Sequence, residues 1–309
     1  MIAFVMSGGG SRGALQAGAI FALREAGIVP DFVVGSSVGA LNALHLACHG
    51  LEEAGLTRLR KTWEKVHKRN VFPSNPWFSA FRFLQGKDSL HGGTALRKFV
   101  TKQIPSQMKT FGDLLMPCYL TATDLRTQRL YLFGESADSE FLEAALASAS
   151  IPVLHPPIPY QDLQLVDGGV LDNVPAEVAM DKGALEIWVL NVGYGGQRLQ
   201  AAKGVQEIFG RTINVVLTNS LFKDLDRAME NRNVQLHHLH LSAFRDVSIM
   251  DFSRTKQMME AGNQTARAYL VSPRPLSFPQ PPASEFVAPL RIPGAREWVS
   301  ASARHIVDR

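Results

Sequence analysis

The residues with the clearest chemical potential sit in turns rich in glycine. Gly35-Ser36-Ser37-Val38-Gly39 is a G-x-S-x-G between a short apolar run, Phe32-Val33-Val34, and an apolar stretch from Ala40 to Cys48. A sharp strand-to-helix turn holds such a serine at strained backbone angles, and small residues on either side, here Gly35 and Gly39, leave it room. The hydroxyl then stands at a helix N-terminus, where unpaired N–H groups and the helix dipole favour a developing negative charge. That is the setting of a serine nucleophile. The same five letters also make an ordinary tight turn, and taken alone they leave both readings open.

Gly8-Gly9-Gly10-Ser11-Arg12-Gly13 forms a second glycine loop after the apolar run Ile2 to Met6. Bare amides in such a loop converge on an anion. Two functions compete: a phosphate cradle, and an oxyanion hole for the tetrahedral intermediate of acyl transfer. The loop lacks the Gly-Lys-Ser/Thr of a Walker loop. It fits the dinucleotide pattern only formally, because Asp31 precedes the next strand instead of closing it. Spacing alone leaves the loop ambiguous. A third turn, Asp167-Gly168-Gly169, puts an acid at the end of Gln164-Leu165-Val166. Sites gather at the carboxyl ends of strands in parallel sheets, but Asp-Gly is also a common turn former.

These turns need elements to hold them. Ile2 to Met6 reads as a buried strand and Ser11 to Ala26 as a helix with Leu15, Ala19, Ile20 and Leu23 on one face. Strand, helix, strand, helix over the first fifty residues predicts a parallel sheet with helices packed on it. Further helices are predicted over Glu52 to Lys68, Thr94 to Thr101, Glu140 to Ser150, Val205 to Arg232 and Phe252 to Val271. Strands are predicted at Cys118 to Thr123 and Arg129 to Phe133, paired as a hairpin, then at Glu186 to Val192 and Val234 to Leu241. The fold class expected is α/β, three layers around a mainly parallel central sheet. From Ser272 the chain changes character. Pro273, Pro275, Pro279, Pro281, Pro282, Pro289 and Pro293 sustain neither helix nor central strand. Two parts are therefore expected: a body over residues 1–271 and a proline-rich arm over 272–309.

Composition narrows the classes. At 309 residues, 46% hydrophobic and 19% charged, the chain can bury a large core and is not disordered overall. Its net charge of +4 suits an anionic surface without identifying one. Cys48 and Cys118 lie in no C-x-x-C spacing, so neither a disulfide framework nor a zinc cluster is expected, in keeping with a reducing cytoplasm. Ile2 to Met6 is too short for a signal-peptide core, and no apolar run matches a membrane span. The expectation is a cytoplasmic, soluble protein whose membrane contact, if any, is peripheral.

Taken together and in order, the three motifs resemble the patatin-like phospholipase family. That family pairs a G-G-G-x-R/K-G oxyanion loop with a G-x-S-x-G elbow and a D-G-G/A motif. Ala147-Ser148-Ala149-Ser150-Ile151-Pro152 is similar to the family's small-residue segment upstream of the aspartate. The likeness runs from about Ile2 to Tyr269 and leaves the proline-rich tail outside. It implies a Ser37–Asp167 dyad. Ser37 would attack an acyl carbonyl, Asp167 would take and return the proton, and the amides of Gly9, Gly10 and Ser11 would hold the oxyanion. Arg12 would orient the loop or meet a phosphate, against a plain surface salt bridge. An exposed carboxylate is too weak a base for this work, so Asp167 is expected in a partly desolvated pocket. The substrate implied is a lipid or phospholipid ester, with no cofactor, metal or nucleic acid. Acyl transfer to another lipid, or anion and nucleotide binding through Gly8 to Gly13, stand as alternatives.

The histidines are expected to be structural. His155, between the small-residue segment and Asp167, is read as a packing or loop residue and not a third triad member. His45 and His49 have metal-ligand spacing, but Leu46 stands where a zincin carries Glu. His237, His238 and His240 lie on a strand, where neighbours face opposite ways. Trp77, Phe78, Phe81 and Phe83, with Arg82 and Lys87, read either as packing over the core or as a lipid-dipping surface. Arg58, Arg60, Lys61, Lys65, Lys68 and Arg69 form a basic helix, by default a solvated face and otherwise an anionic-membrane contact.

Overall fold

Chain order places the first glycine loop and the serine turn at the carboxyl ends of neighbouring parallel strands. β1 (Ile2–Met6) pairs in parallel with β2 (Phe32–Ser36) on one side and with β7 (Glu186–Asn191) on the other. β8 (Gln235–His240) extends the parallel half beyond β7, and β3 (Cys118–Asp124) extends it beyond β2. The computed structural model describes residues 1–73, 85–193, 201–204, 208, 212, 234–244 and 247–273. They belong to one compact unit, Met1–Gly195 with Ala201–Leu276. Most of the helix expected over Val205 to Arg232, the aromatics between Trp77 and Phe83, and the arm beyond residue 273 lie outside the described residues.

Beyond β3 the pairing is antiparallel. β4 (Arg129–Phe133) forms the expected hairpin on β3. β6 (Leu163–Asp167) also pairs antiparallel with β3, and the short β5 (Ile158–Tyr160) pairs with β6. The sheet order is β5-β6-β3-β2-β1-β7-β8, with β4 also on β3. Register explains the consequence. β2 takes Cys118 to Thr121 of β3, while β6 takes Ala122 to Asp124. Because β4 holds the other edge, β2 and β6 share one edge of β3 and run towards each other. Their carboxyl ends, Ser36 and Asp167, meet head to head.

Helices cover both faces. α1 (Gly13–Glu25) and α2 (Val38–His49) follow β1 and β2, and α3 (Glu53–Lys65) and the one-turn α4 (Lys68–Val71) follow in turn. α5 (Thr94–Thr101), α6 (Phe141–Ser148), α7 (Ala176–Asp181) and α8 (Thr255–Val271) complete the set among the described residues. Side chains alternate along β1. Phe4 and Met6 join the large core with α1, α2 and α6, whereas the equally buried Ala3 and Val5 lie outside it. α7 packs on β1, β2 and β7 and buries Ala176 and Ala179. The result is three layers, with strands hydrophobic on both faces, as a covered parallel sheet requires. On α3 only Gly55, Leu59 and Trp63 are buried. Arg58, Arg60, Lys61 and Lys65 are exposed, as are Lys68 and Arg69 just beyond.

Candidate active site

Ser37 joins β2 to α2 at φ 55°, ψ −125°, an unfavourable conformation for any residue with a Cβ. The neighbours make it possible. A Cβ on Gly39 would stand 2.1 Å from the Met6 carbonyl oxygen, and one on Gly35 would stand 2.4 Å from that of Gly39. The strand, the turn and the helix are thus pressed together at distances that only glycine tolerates. The Ser37 N–H donates to Ser148 Oγ at 3.0 Å, which anchors the turn to the end of α6.

The hydroxyl of Ser37 donates to Asp167 Oδ2 at 2.6 Å. Both residues are nearly closed to solvent, Ser37 at 8% and Asp167 at 3% exposure. Asp167 Oδ1 accepts the Gly169 N–H at 2.9 Å, and the Asp167 N–H donates to the Ser150 carbonyl at 2.9 Å. The carboxyl is therefore aimed from both ends. Burial raises its pKa from the ordinary 3.8 to about 7, against the opposing pull of the hydrogen bonds from Ser37 and Gly169. A carboxylate with that proton affinity is far better matched to accepting a hydroxyl proton than an exposed one.

The glycine loop lies against the serine. A Cβ on Gly8 would come within 2.9 Å of Ser37 Cβ. Fewer of its amides are free than the motif implies. The Gly8 N–H is taken by Asn173, through both its carbonyl at 3.2 Å and its Oδ1 at 3.1 Å. The Ser11 N–H, expected among the oxyanion donors, instead donates to the Ile249 carbonyl at 2.8 Å. Gly9 and Gly10 are left with amides that have no hydrogen-bond partner among the described residues. Gly10 has φ 59°, and a Cβ there would meet the Ile249 carbonyl oxygen at 2.4 Å. Arg12 is buried, and its Nε donates to the Gly9 carbonyl at 3.5 Å. Gly13 is a packing position, with Val38 and Trp63 filling the space of a Cβ.

Beneath the loop lies a polar network that motif spacing did not reveal. Gln16 Nε2 donates to the carbonyls of Ser7 at 2.8 Å and Leu190 at 3.0 Å. Asn42 Nδ2 donates to Gln16 Oε1 at 2.8 Å and to the Gly13 carbonyl at 3.0 Å, and Trp63 Nε1 donates to Asn42 Oδ1 at 3.0 Å. This chain ties α3, α2 and α1 to the base of the glycine loop. Ser148 was within reach of sequence reading, because it sits in the small-residue segment. Asn173, Gln16 and Asn42 carried no signal, since each is an unremarkable amide whose partners are remote in sequence.

An apolar cavity opens at Ser37. Its walls include Val38, Leu41, Leu44 and Cys48 of α2, Leu59, Trp63 and Val66 around α3, and Leu96, Phe99 and Val100 of α5, with Phe252 and Ile151. The histidines stand apart from the dyad's hydrogen bonds. His155 stacks on Phe72 and contacts the Val71 carbonyl, its pKa lowered to about 4 by burial. His45 and His49 contact the carbonyls of Gly55 and Gln103. His237 stacks on Trp188, while His238 and His240 stack on each other.

Fold and site together define a class: an α/β protein that holds a strained serine against a buried carboxylate beside an apolar cavity. Residues 4–180 match the model of the patatin-like phospholipase family, and the chain belongs to that family. Lysophospholipase NTE1 of Scheffersomyces stipitis is 26% identical over 204 residues, covering 64% of this chain and 12% of its own length. Human patatin-like phospholipase domain-containing protein 6 is 30% identical over 201 residues, covering 62% of this chain and 13% of that protein. The chain thus matches about an eighth of the length of these relatives. Among solved structures, human GIVD cytosolic phospholipase A2 superposes with a TM-score of 0.52 at 11% identity, over 87% of this chain and 58% of that one, a likeness of fold.

Proposed function

We propose that this chain is a lipid acyl hydrolase of the phospholipase A or lysophospholipase type, acting through Ser37 and Asp167. The observation that carries the reading is the 2.6 Å hydrogen bond from Ser37 Oγ to a desolvated carboxylate. Asp167 accepts the hydroxyl proton as Ser37 Oγ bonds to the acyl carbonyl carbon. The oxyanion so formed lies towards the Gly9 and Gly10 amides. Collapse breaks the ester C–O bond, and Asp167 returns the proton to the leaving alcohol. Water then enters, Asp167 takes its proton, and the acyl-enzyme is released as a carboxylic acid while Ser37 recovers its hydrogen. The lysophospholipase named among the relatives supports a lipid ester as substrate, and the apolar cavity supports an alkyl chain on its acyl side.

No helix among the described residues is long and apolar enough to cross a membrane. Peripheral contact with an anionic bilayer is the companion proposal, supported by the exposed cations of α3 and α4. The deciding experiment is a lipid-panel hydrolysis assay on the wild type beside Ser37→Ala and Asp167→Asn, with fluorophosphonate labelling of Ser37. Activity retained in either folded variant would sink the reading. Adding alcohol acceptors to the same assay reports whether acyl transfer competes with hydrolysis.

A further inference from the structure

The cavity beside Ser37 has a direction. On α2 its wall is formed by Val38, Leu41, Asn42, Leu44, His45 and Cys48, a broad face along the length of the helix. On α3 the wall is Leu59, Thr62 and Trp63, again a single face. It therefore runs along α2, starting from Ser37 at the N-cap. Cys48 is the wall residue on α2 farthest along the helix from Ser37. Thr62 Oγ1 donates to Gln103 Oε1 at 2.8 Å, and His49 Nε2 lies 2.7 Å from the Gln103 carbonyl. The cavity is walled by α2, α3 and α5 with a largely apolar lining, the form of a site for an alkyl chain. The wall is suited to hydrocarbon: burial lowers the pKa of His45 to about 4 and raises that of Cys48 to about 12, leaving both uncharged near neutrality.

Taking Ser37 as the nucleophile, we propose that this seam holds the substrate's acyl chain and that Cys48, at its inner end, limits the chain to about twelve or thirteen carbons. Ser37 and Cys48 are eleven positions apart, which is ~16 Å at a helical rise of about 1.5 Å per residue. An extended alkyl chain advances about 1.25 Å per carbon, from C–C bonds of about 1.5 Å at tetrahedral angles. Leu44 lines the same seam seven positions from Ser37, at the depth of about the eighth carbon.

The test is a series of p-nitrophenyl esters from four to sixteen carbons, run on the wild type, Cys48→Phe and Leu44→Phe. The wild type should climb to about twelve carbons and fall by sixteen. Filling the inner end costs the chain two or three buried methylenes, each worth about fourfold. The ratio of kcat/KM on the twelve-carbon ester to that on the four-carbon ester should therefore drop about 30-fold in Cys48→Phe. Leu44→Phe should move the optimum further, to eight carbons or fewer. Unchanged ratios in both folded variants would overturn the assignment. Should neither variant fold, Ser37 labelling of the wild type by alkyl fluorophosphonates of graded length decides. A rate maximum near twelve carbons supports the channel, and a flat series overturns it while leaving Ser37 as nucleophile. No labelling at any length removes the nucleophile reading itself.

Discussion

Asp167→Asn separates what the buried carboxyl does for chemistry from what it costs the fold. The substitution keeps the shape. An Asn oxygen still accepts the Gly169 N–H, and its NH₂ faces Ser37 Oγ in place of Oδ2. What disappears is the titration. In the folded protein Asp167 holds its proton up to about pH 7, against an ordinary 3.8. Between those values the native state binds more protons than the unfolded chain, so wild-type stability falls as pH rises. The loss begins near pH 3.8 and is complete once pH exceeds about 7. From pH 5 to pH 8 the carboxyl alone should withdraw roughly 3 kcal/mol, at about 1.4 kcal/mol per unit of pH until the folded group ionises. Asn has no such dependence. Urea unfolding of both proteins at pH 5, 6, 7 and 8 measures this directly, because other titrating groups cancel in the difference. The variant should gain on the wild type at each step up to pH 7 and level off thereafter. It should also hydrolyse no ester at any of these pH values. A stability difference that stays constant from pH 5 to pH 8 would refute the placement of a desolvated carboxyl with raised proton affinity in this site.

Wild-type kcat/KM should rise about tenfold per pH unit below pH 7 and flatten above it, since Asp167 must be ionised to accept the proton; a pH–rate profile reads this. Ser148→Ala removes the acceptor of the Ser37 N–H. It should destabilise the protein by about 1–3 kcal/mol and lower kcat more than it raises KM, as denaturation and steady-state kinetics would report. Gly39→Ala forces a methyl against the Met6 carbonyl. It should lower the melting temperature and abolish fluorophosphonate labelling, whereas Gly93→Ala, at φ −65° with Pro156 3.4 Å from the added Cβ, should still be labelled. Gln16→Leu strips partners from the Ser7 and Leu190 carbonyls and from Asn42. Thermal unfolding should show a loss of about 1–3 kcal/mol, because the Ser7 carbonyl is left unpaired while the Leu190 carbonyl keeps the Ser7 N–H and Asn42 keeps the Gly13 carbonyl.

Local chemistry was legible in the residues themselves. β1, β2, the helices after them and the hairpin of β3 and β4 follow from apolar runs and glycine punctuation, because short-range sterics and periodicity choose those elements. Ser37 stood out as a candidate at its glycine turn, whereas Asp167 was singled out only through the resemblance of the three motifs, in order, to a known family. Their meeting could not be read that way. It depends on β6 running antiparallel to β3 and sharing an edge with β2, a pairing between segments that begin 81 and 126 positions beyond Ser37. Nothing local to Leu163–Asp167 selects that partner. The donors show the same division. The glycine loop is plain in the letters, but which amides stay free depends on Asn173 and the Ile249 carbonyl, which arrive from distant parts of the chain. Burial is the last case: the composition of residues 163–169 makes Asp167 an ordinary turn acid, and enclosure by the surrounding elements raises its proton affinity. Backbone preferences act over a few residues and are written locally. Proximity and desolvation are properties of the assembled body.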